Sequence, residues 1–243
     1  MNAFDAISQR HGVLRFKPEP VDRALIQRVL QAAVVAPSPA NTQPWEFIVV
    51  DDPAKARLVA EYLVETQAEF VFRQLLETPE AFIEHLLHLY DKFYDVPCFI
   101  ILCRHQRTEL ANTQYKDTVR DWDLCSLGAA MANLMTAATE LGLGTRWFGN
   151  PMMNPKPLGK MLGIPKDVEI IAVTPLGYHE EQPKERPVQP IKAHTDFQRG
   201  EKYKLAALLQ GKLALEEVVH FNEFSYGNQS NSHVHQILLP RRI

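Results

Sequence analysis

The chain has 243 residues, 46% hydrophobic and 23% charged, a composition that supports a real buried core and excludes a disordered or fibrous polymer. Its formal net charge of -3 and pI of about 6.3 provide no electrostatic case for nucleic acid or an anionic membrane as partner. Three cysteines, Cys98, Cys103 and Cys125, form no CxxC pair and lie among apolar neighbours, so they read as reduced, buried thiols in a cytoplasmic protein.

No basic stretch followed by an apolar run opens the chain, so no secretory leader is expected. Residues 3–9 have the pattern of a short helix leading into Arg10-His11-Gly12. Asp22 is a suitable N-cap for a second helix, because Leu25, Ile26, Val29, Leu30 and Ala33 then share one face. Pro37, without an amide proton, ends it. Residues 45–50 have the length and β-branched content of a strand, and Asp51-Asp52-Pro53 reads as a turn and helix start. Residues 54–93 are helical in character, with a break near Thr78-Pro79.

The unbroken apolar run at residues 98–103 suits a strand covered on both faces. Leu127, Met131, Leu134, Ala138 and Leu141 recur at helical spacing and define a central helix, ended by a glycine cap at Gly142-Leu143-Gly144. Asn133, Thr136, Thr139 and Glu140 make this stretch too polar for a membrane span, which needs ~20 largely apolar residues. Residues 145–149 and 168–175 read as strands. Residues 178–200 read as an irregular surface path, 201–210 as a short helix, and 215–219 as a small closing element. With no repeat and no linker, the expectation is a single α+β domain over residues 1–243, a mixed sheet carrying helices on its faces.

Three clusters carry chemistry. In Arg10-His11-Gly12-Val13-Leu14-Arg15-Phe16, guanidinium forks and a glycine that bares backbone amides suit a phosphate; a charged helix end anchored by Phe16 is the plainer reading. The turn Ala36-Pro37-Ser38-Pro39-Ala40-Asn41-Thr42-Gln43-Pro44-Trp45 holds Ser38, Asn41 and Gln43 between a helix and a strand. It is either a fixed hydrogen-bond pattern for a planar heterocycle or ordinary turn chemistry. In the segment from Gly142 to Asn150, the GxG pair follows a helix and precedes a strand, the reverse of the dinucleotide-binding order, so it is a helix cap. Phe148-Gly149-Asn150 could bring a backbone amide close to a ligand atom. His85 with His88, and His233 with His235, lack a third ligand nearby and read as solvent-facing or capping; no metal is expected. No GxSxG elbow or P-loop is present. Phe70, Phe72, Phe82, Tyr90, Phe93 and Tyr94 read as core packing.

Taken together, these clusters make the chain resemble the FMN-dependent nitroreductase family. Arg10-His11-Gly12 stands where that family opens with Arg-Arg/His-Ser, and Phe16-Lys17-Pro18-Glu19-Pro20-Val21 matches the segment that follows. Ala36-Pro37-Ser38 through Trp45 matches its most distinctive motif. Asp123, Asn133 and Leu141-Gly142-Leu143-Gly144-Thr145 fit its long helix and exit. Leu176-Gly177-Tyr178 and Leu215-Glu216-Glu217-Val218-Val219-His220 match its closing segments. The resemblance implies an α+β nitroreductase-like fold, a central mixed, mostly antiparallel sheet flanked by helices in an intertwined homodimer with FMN at the subunit interface. It implies that Arg10 and His11 contact the FMN phosphate and ribityl chain, with Gly12 contributing backbone and Leu14 at the motif's third cationic position. Pro37, Ser38, Pro39 and Asn41 would come from the partner subunit to cover the isoalloxazine. Phe148, Gly149 and Asn150 would lie at the reactive edge, with a backbone amide toward N5. A late cation on the phosphate would be Lys212 or Arg186.

Two departures stand out: glycine replaces the family's serine at Gly12, and Leu14 removes a charge for which Arg15 is a neighbouring substitute. Residues 178–211 are longer than usual, and 224–243 form an extra tail. The implied function is NAD(P)H-driven ping-pong reduction of nitroaromatics, quinones or related electron-poor acceptors, with no side-chain acid required. The alternatives are a flavin-dependent oxidase or dehydrogenase of a dedicated metabolite that does not use NAD(P)H, a non-catalytic flavin-binding protein, or a dimer scaffold without cofactor.

Overall fold

Helix α1 (Ala3–Gln9) begins at Asn2, whose side chain accepts the Asp5 amide at 3.0 Å. Helix α2 (Arg23–Val34) begins at Asp22, which accepts the Ala24 amide at 2.8 Å, and it stops ahead of Pro37. Strand β1 (Trp45–Val50) leads into helix α3 (Pro53–Gln74), with proline at the first helical position, where its missing N–H costs nothing. Strand β2 (Cys98–His105), the long helix α4 (Lys116–Glu140), strand β3 (Gly144–Thr145), helix α5 (Lys156–Leu162) and strand β4 (Val168–Gly177) follow. The computed structural model describes residues 2–74, 93–181, 188–189 and 212–213. The chain divides into two compact units, Met1–Pro183 and Lys184–Ile243. In the second, strands β5 (Val188–Gln189) and β6 (Lys212–Leu213) pair in parallel. The elements expected at 201–210 and 215–219, the break near Thr78-Pro79, and His85, His88, His233 and His235 lie outside the described residues.

The sheet of the first unit runs β1-β2-β4-β3, each pair antiparallel. Its parallel component is a single bridge between Gly12 and Thr145, reinforced by the Val13 amide donating to the Thr145 carbonyl at 3.0 Å. Phe16 then bridges His179. Residues 12–16 are thereby laid along the β3 side of the sheet.

The apolar run of β2 divides the core by simple alternation. Cys98, Ile100 and Leu102 face α2 and α4, meeting Ile26, Val29 and Ala33 from one and Leu127, Met131, Leu134 and Ala138 from the other. Phe99, Ile101 and Cys103 face the opposite side, with Val59, Ala60 and Leu63 of α3 and Leu158 of α5. A strand covered twice is what the unbroken hydrophobic stretch required. Phe93 is fully buried in the second cluster, with Tyr94 packed at its edge.

Two expectations need correction. The strand expected at residues 145–149 ends at Thr145. Its register continues, since Thr145 lies opposite Leu176 and Phe148 opposite Val173. Arg146, however, falls opposite Pro175, which has no amide to donate, and its own amide turns to the Thr174 hydroxyl at 3.2 Å. Of the three thiols, Cys98 and Cys103 are buried, but Cys125 is exposed. It lies three positions after exposed Trp122, so both sit on the outward face of α4 while Asp123, Ser126 and Leu127 turn inward.

Candidate functional site

Because residues 12–16 are extended, neighbouring side chains leave the strand on opposite sides. A Cβ built on Gly12 would stand 3.3 Å from an Nη nitrogen of Arg146 and 3.6 Å from its Cγ. Val13 instead packs on Gly144, and with His11 it lines a different cavity.

The first cavity, about 350 Å³, is walled by Arg146, Trp147, Phe148, Gly149 and Asn150, with Gln67 of α3 and Met153 at its rim. Two hydrogen bonds fasten this wall to α3. The Asn150 amide donates to the Thr66 hydroxyl at 2.6 Å, and the Tyr62 hydroxyl donates to the Asn154 carbonyl at 2.7 Å. Burial pushes the Tyr62 phenol up to about 12, so it remains a donor at neutral pH. Phe148 is held edge-on by Phe93 at 5.4 Å between ring centres. The Arg146 guanidinium lies 5.5 Å from the centre of the Phe148 ring. Among the described residues a Cβ on Gly149 would touch only the Trp147 indole, at 3.6 Å, so none of them demands glycine there.

The second cavity, about 250 Å³, lies behind the same strand and is lined by Gln9, His11, Thr139, Thr145, His179 and Glu181 among others. Three of its buried polar atoms, His11 Nε2, Thr145 Oγ1 and His179 Nδ1, have no hydrogen-bond partner among the described residues. The two imidazoles meet edge to face at 5.4 Å. Burial, then the neighbouring His11, hold His179 below the usual histidine range, with Glu181 opposing. Glu181 accepts the amides of Leu14 at 3.0 Å and Arg15 at 2.6 Å, which fixes the strand from its far end.

The proline-stiffened turn folds as a 3₁₀ turn over Pro39–Asn41, closed by the Gln43 amide donating to Ser38 Oγ at 3.0 Å. Ala40, Asn41 and Gln43 have φ of 50°, 54° and 47°, a left-handed conformation that costs about 1–2 kcal/mol for each non-glycine residue.

The structure therefore sorts the expected site residues. Phe148, Gly149 and Asn150 come together in the wall of the first cavity, and Gly12 lies against Arg146 of that wall without itself lining either cavity; His11 turns into the second. Arg10 is the half-buried C-cap of α1, and Leu14 packs against the core. Pro37, Ser38, Pro39 and Asn41 line neither cavity. Lys212 belongs to β6 of the second unit, and Arg186 lies outside the described residues. Sequence reading missed Thr66, Gln67, Arg146, His179 and Glu181. Arg146 had a visible signal, a cation inside the conspicuous Gly-Thr-Arg-Trp-Phe-Gly stretch. Among the described residues no group of three His, Cys, Asp or Glu could hold a metal, and no helix is long and apolar enough to cross a membrane.

A candidate NADH dehydrogenase/NAD(P)H nitroreductase of Archaeoglobus fulgidus is 30% identical over 178 residues, 72% of this chain and 84% of that protein. The 5,6-dimethylbenzimidazole synthase of Rhodospirillum rubrum is 25% identical over 182 residues, 74% of this chain and 84% of that protein. The fold matches the crystal structure of a nitroreductase with bound FMN from Desulfitobacterium hafniense, with a TM-score of 0.57 at 22% identity, covering 76% of this chain and 94% of that one. The family model described as Nitroreductase family matches residues 7–178, which include the Gly12 strand, the proline-stiffened turn and the Arg146–Asn150 wall, and the chain belongs to that family.

Proposed function

We propose that this protein is an FMN-dependent oxidoreductase that works as a homodimer, draws reducing equivalents from NAD(P)H and passes them to electron-poor small molecules such as nitroaromatics or quinones. The observation that carries this reading is the first cavity: a cation, a side-chain amide and a glycine-centred backbone edge around one concave wall. This donor set suits a flavin ring, which offers carbonyl oxygens and ring nitrogens along one edge and an apolar face. Gly12 leaves open the space that a Cβ would fill beside Arg146.

When bound, FMN would supply the two-electron redox chemistry between donor and acceptor. The protein's part is binding and positioning. Phe148, Gly149 and Asn150 present backbone to the ring edge, and the bonds from Asn150 to Thr66 and from Tyr62 to Asn154 keep that backbone in place. Arg10, at the end of α1, is the cation of this unit that holds the phosphate. Pro37, Ser38, Pro39 and Asn41 cover the ring from the partner subunit. Their absence from both cavities of their own chain, and the strain stored at Ala40, Asn41 and Gln43, support a role outside it.

A second reading, a flavin enzyme of one dedicated metabolite that needs no nicotinamide, draws support from Gly12 and Leu14 and from the likeness to the 5,6-dimethylbenzimidazole synthase. Anaerobic titration of the yellow dimer with NADH and NADPH separates the two. Bleaching with either supports the reductase. Stable colour with both overturns the nicotinamide donor and favours the dedicated enzyme. A colourless monomer after soaking in FMN overturns both.

A further inference from the structure

The nitroreductase resemblance leaves one charge unaccounted for, because Leu14 stands where a cation is implied, and the neighbouring Arg15 is exposed. Arg146 is a different matter. It lies across Gly12 so closely that a Cβ there would press on its guanidinium at 3.3 Å. It is half-buried in the wall of the first cavity, beside Phe148 and Gly149. Among the described residues its backbone amide donates to the Thr174 hydroxyl, its guanidinium meets the Phe148 ring, and no carboxylate pairs with it. A guanidinium in a cavity wall that no carboxylate of the described residues neutralises is a binding group for an electron-rich planar partner. The sequence provides for its position twice. Pro175 interrupts the ladder opposite Arg146, and glycine at position 12 clears the space its side chain crosses.

We propose that Arg146 is the cofactor-binding cation of this site, contacting the carbonyl edge of the flavin ring in place of the charge lost at Leu14. The missing serine hydroxyl at Gly12 and the missing cation at Leu14 are then one linked exchange, in which a larger cation arrives from β3's exit and the residue beneath it shrinks. The ring is the partner, and the phosphate is not, because Arg146 shares its cavity with Phe148, Gly149 and Asn150.

This proposal rests on the flavin reading above, and the test separates the two. Affinities of wild type, Arg146→Met and Arg146→Lys are measured for FMN and for riboflavin, which has the ring but no phosphate, by quenching of flavin fluorescence. The reduction midpoint of the bound flavin is measured in each. Loss of a charge-assisted contact weakens both ligands in Arg146→Met by the same factor, about tenfold or more. The midpoint also falls, because a cation beside the ring favours its negatively charged reduced form. Arg146→Lys keeps the midpoint close to wild type while losing part of the affinity. Gly12→Ser, which crowds the guanidinium without removing it, weakens both ligands and leaves an Arg146→Met background unaffected, so the proposal is readable even where Arg146→Met folds poorly. Unchanged affinity and midpoint in Arg146→Met overturn the proposal alone. So does a loss confined to FMN, which would assign Arg146 to the phosphate. A wild type that binds neither ligand overturns the flavin reading and this proposal together.

Discussion

Replacing Thr66 by valine removes one hydroxyl and almost no volume, and it isolates the bond that secures the cavity wall. Thr66 and Asn150 are each 9% exposed, and the Asn150 amide donates to Thr66 Oγ1 at 2.6 Å. After the change that N–H has lost its acceptor in a place water scarcely reaches, which costs about 1–3 kcal/mol. The hydroxyl also bonds back to the carbonyls of Tyr62 and Leu63, at 2.9 and 3.2 Å. Both carbonyls retain their helical amide partners, so their loss adds little. Urea unfolding followed by circular dichroism should therefore show Thr66→Val destabilised by about 1–3 kcal/mol with an unchanged denaturant slope. Thr66→Ser, which keeps the oxygen and gives up one methyl group, should lose about 1 kcal/mol or less. A double-mutant cycle with Asn150→Ala should return a coupling of at least about 0.5 kcal/mol. If the two changes add within about 0.3 kcal/mol, the bond does not hold the wall and the reasoning fails. The functional readout follows: a loosened Gly149 backbone should slow bleaching of the bound flavin by nicotinamide more than it changes flavin affinity.

Asp123→Asn should cost about 3 kcal/mol in denaturant unfolding, the low end for breaking a buried ion pair. Arg104 loses its 2.8 Å partner but keeps Glu169 at 3.7 Å, and a loss under about 1 kcal/mol would show the pair is dispensable. In Gly144→Ala the new methyl meets His179 Cδ2 at 2.7 Å and Val13 Cγ2 at 2.9 Å, so the variant should lose about 1–3 kcal/mol of stability and recover part of it when His179 is also shortened to alanine. His179 binds its proton less readily in the native state than at the ordinary value of 6.5, chiefly through burial. The unfolded chain therefore takes up the proton first, and this contribution to stability, complete above that value, is lost as pH falls below it. Melting temperatures between about pH 7.5 and pH 5.5 should fall more steeply for the wild type than for His179→Phe; parallel curves would show His179 is not the group responsible.

Much of the fold was legible because local chemistry decides it. Asp22 caps α2 where expected, Pro37 bounds it, and the alternation of residues 98–103 distributes one strand between two cores. What escaped depends on pairings distant in sequence. Nothing near Arg146 announces that Pro175 will stand opposite and break the ladder. Cys125 looked apolar by its neighbours Leu124 and Leu127, yet its helical phase follows Trp122 and faces outward. Asp123 was recognisable as part of a motif, but its bond to Arg104 of β2 requires the packed pair of elements. The proline-stiffened turn was identified by composition, whereas the left-handed backbone at Ala40, Asn41 and Gln43 was not, since none of the three is glycine.

The strand from His11 to Val13 is shared between two neighbourhoods: Gly12 lies against Arg146, part of the first cavity's wall, while His11 and Val13 line the second cavity. A change at Gly12 that reshapes the Arg146 wall is therefore also felt by His11 and Val13 in the second cavity, where a Cβ on Gly144 would meet His179 and Val13. Catalytic tuning and folding are thus inseparable along these three positions. Variation intended to alter selectivity belongs at Gln67 and Met153, which line the first cavity outside the Arg146–Asn150 wall and line no part of the second.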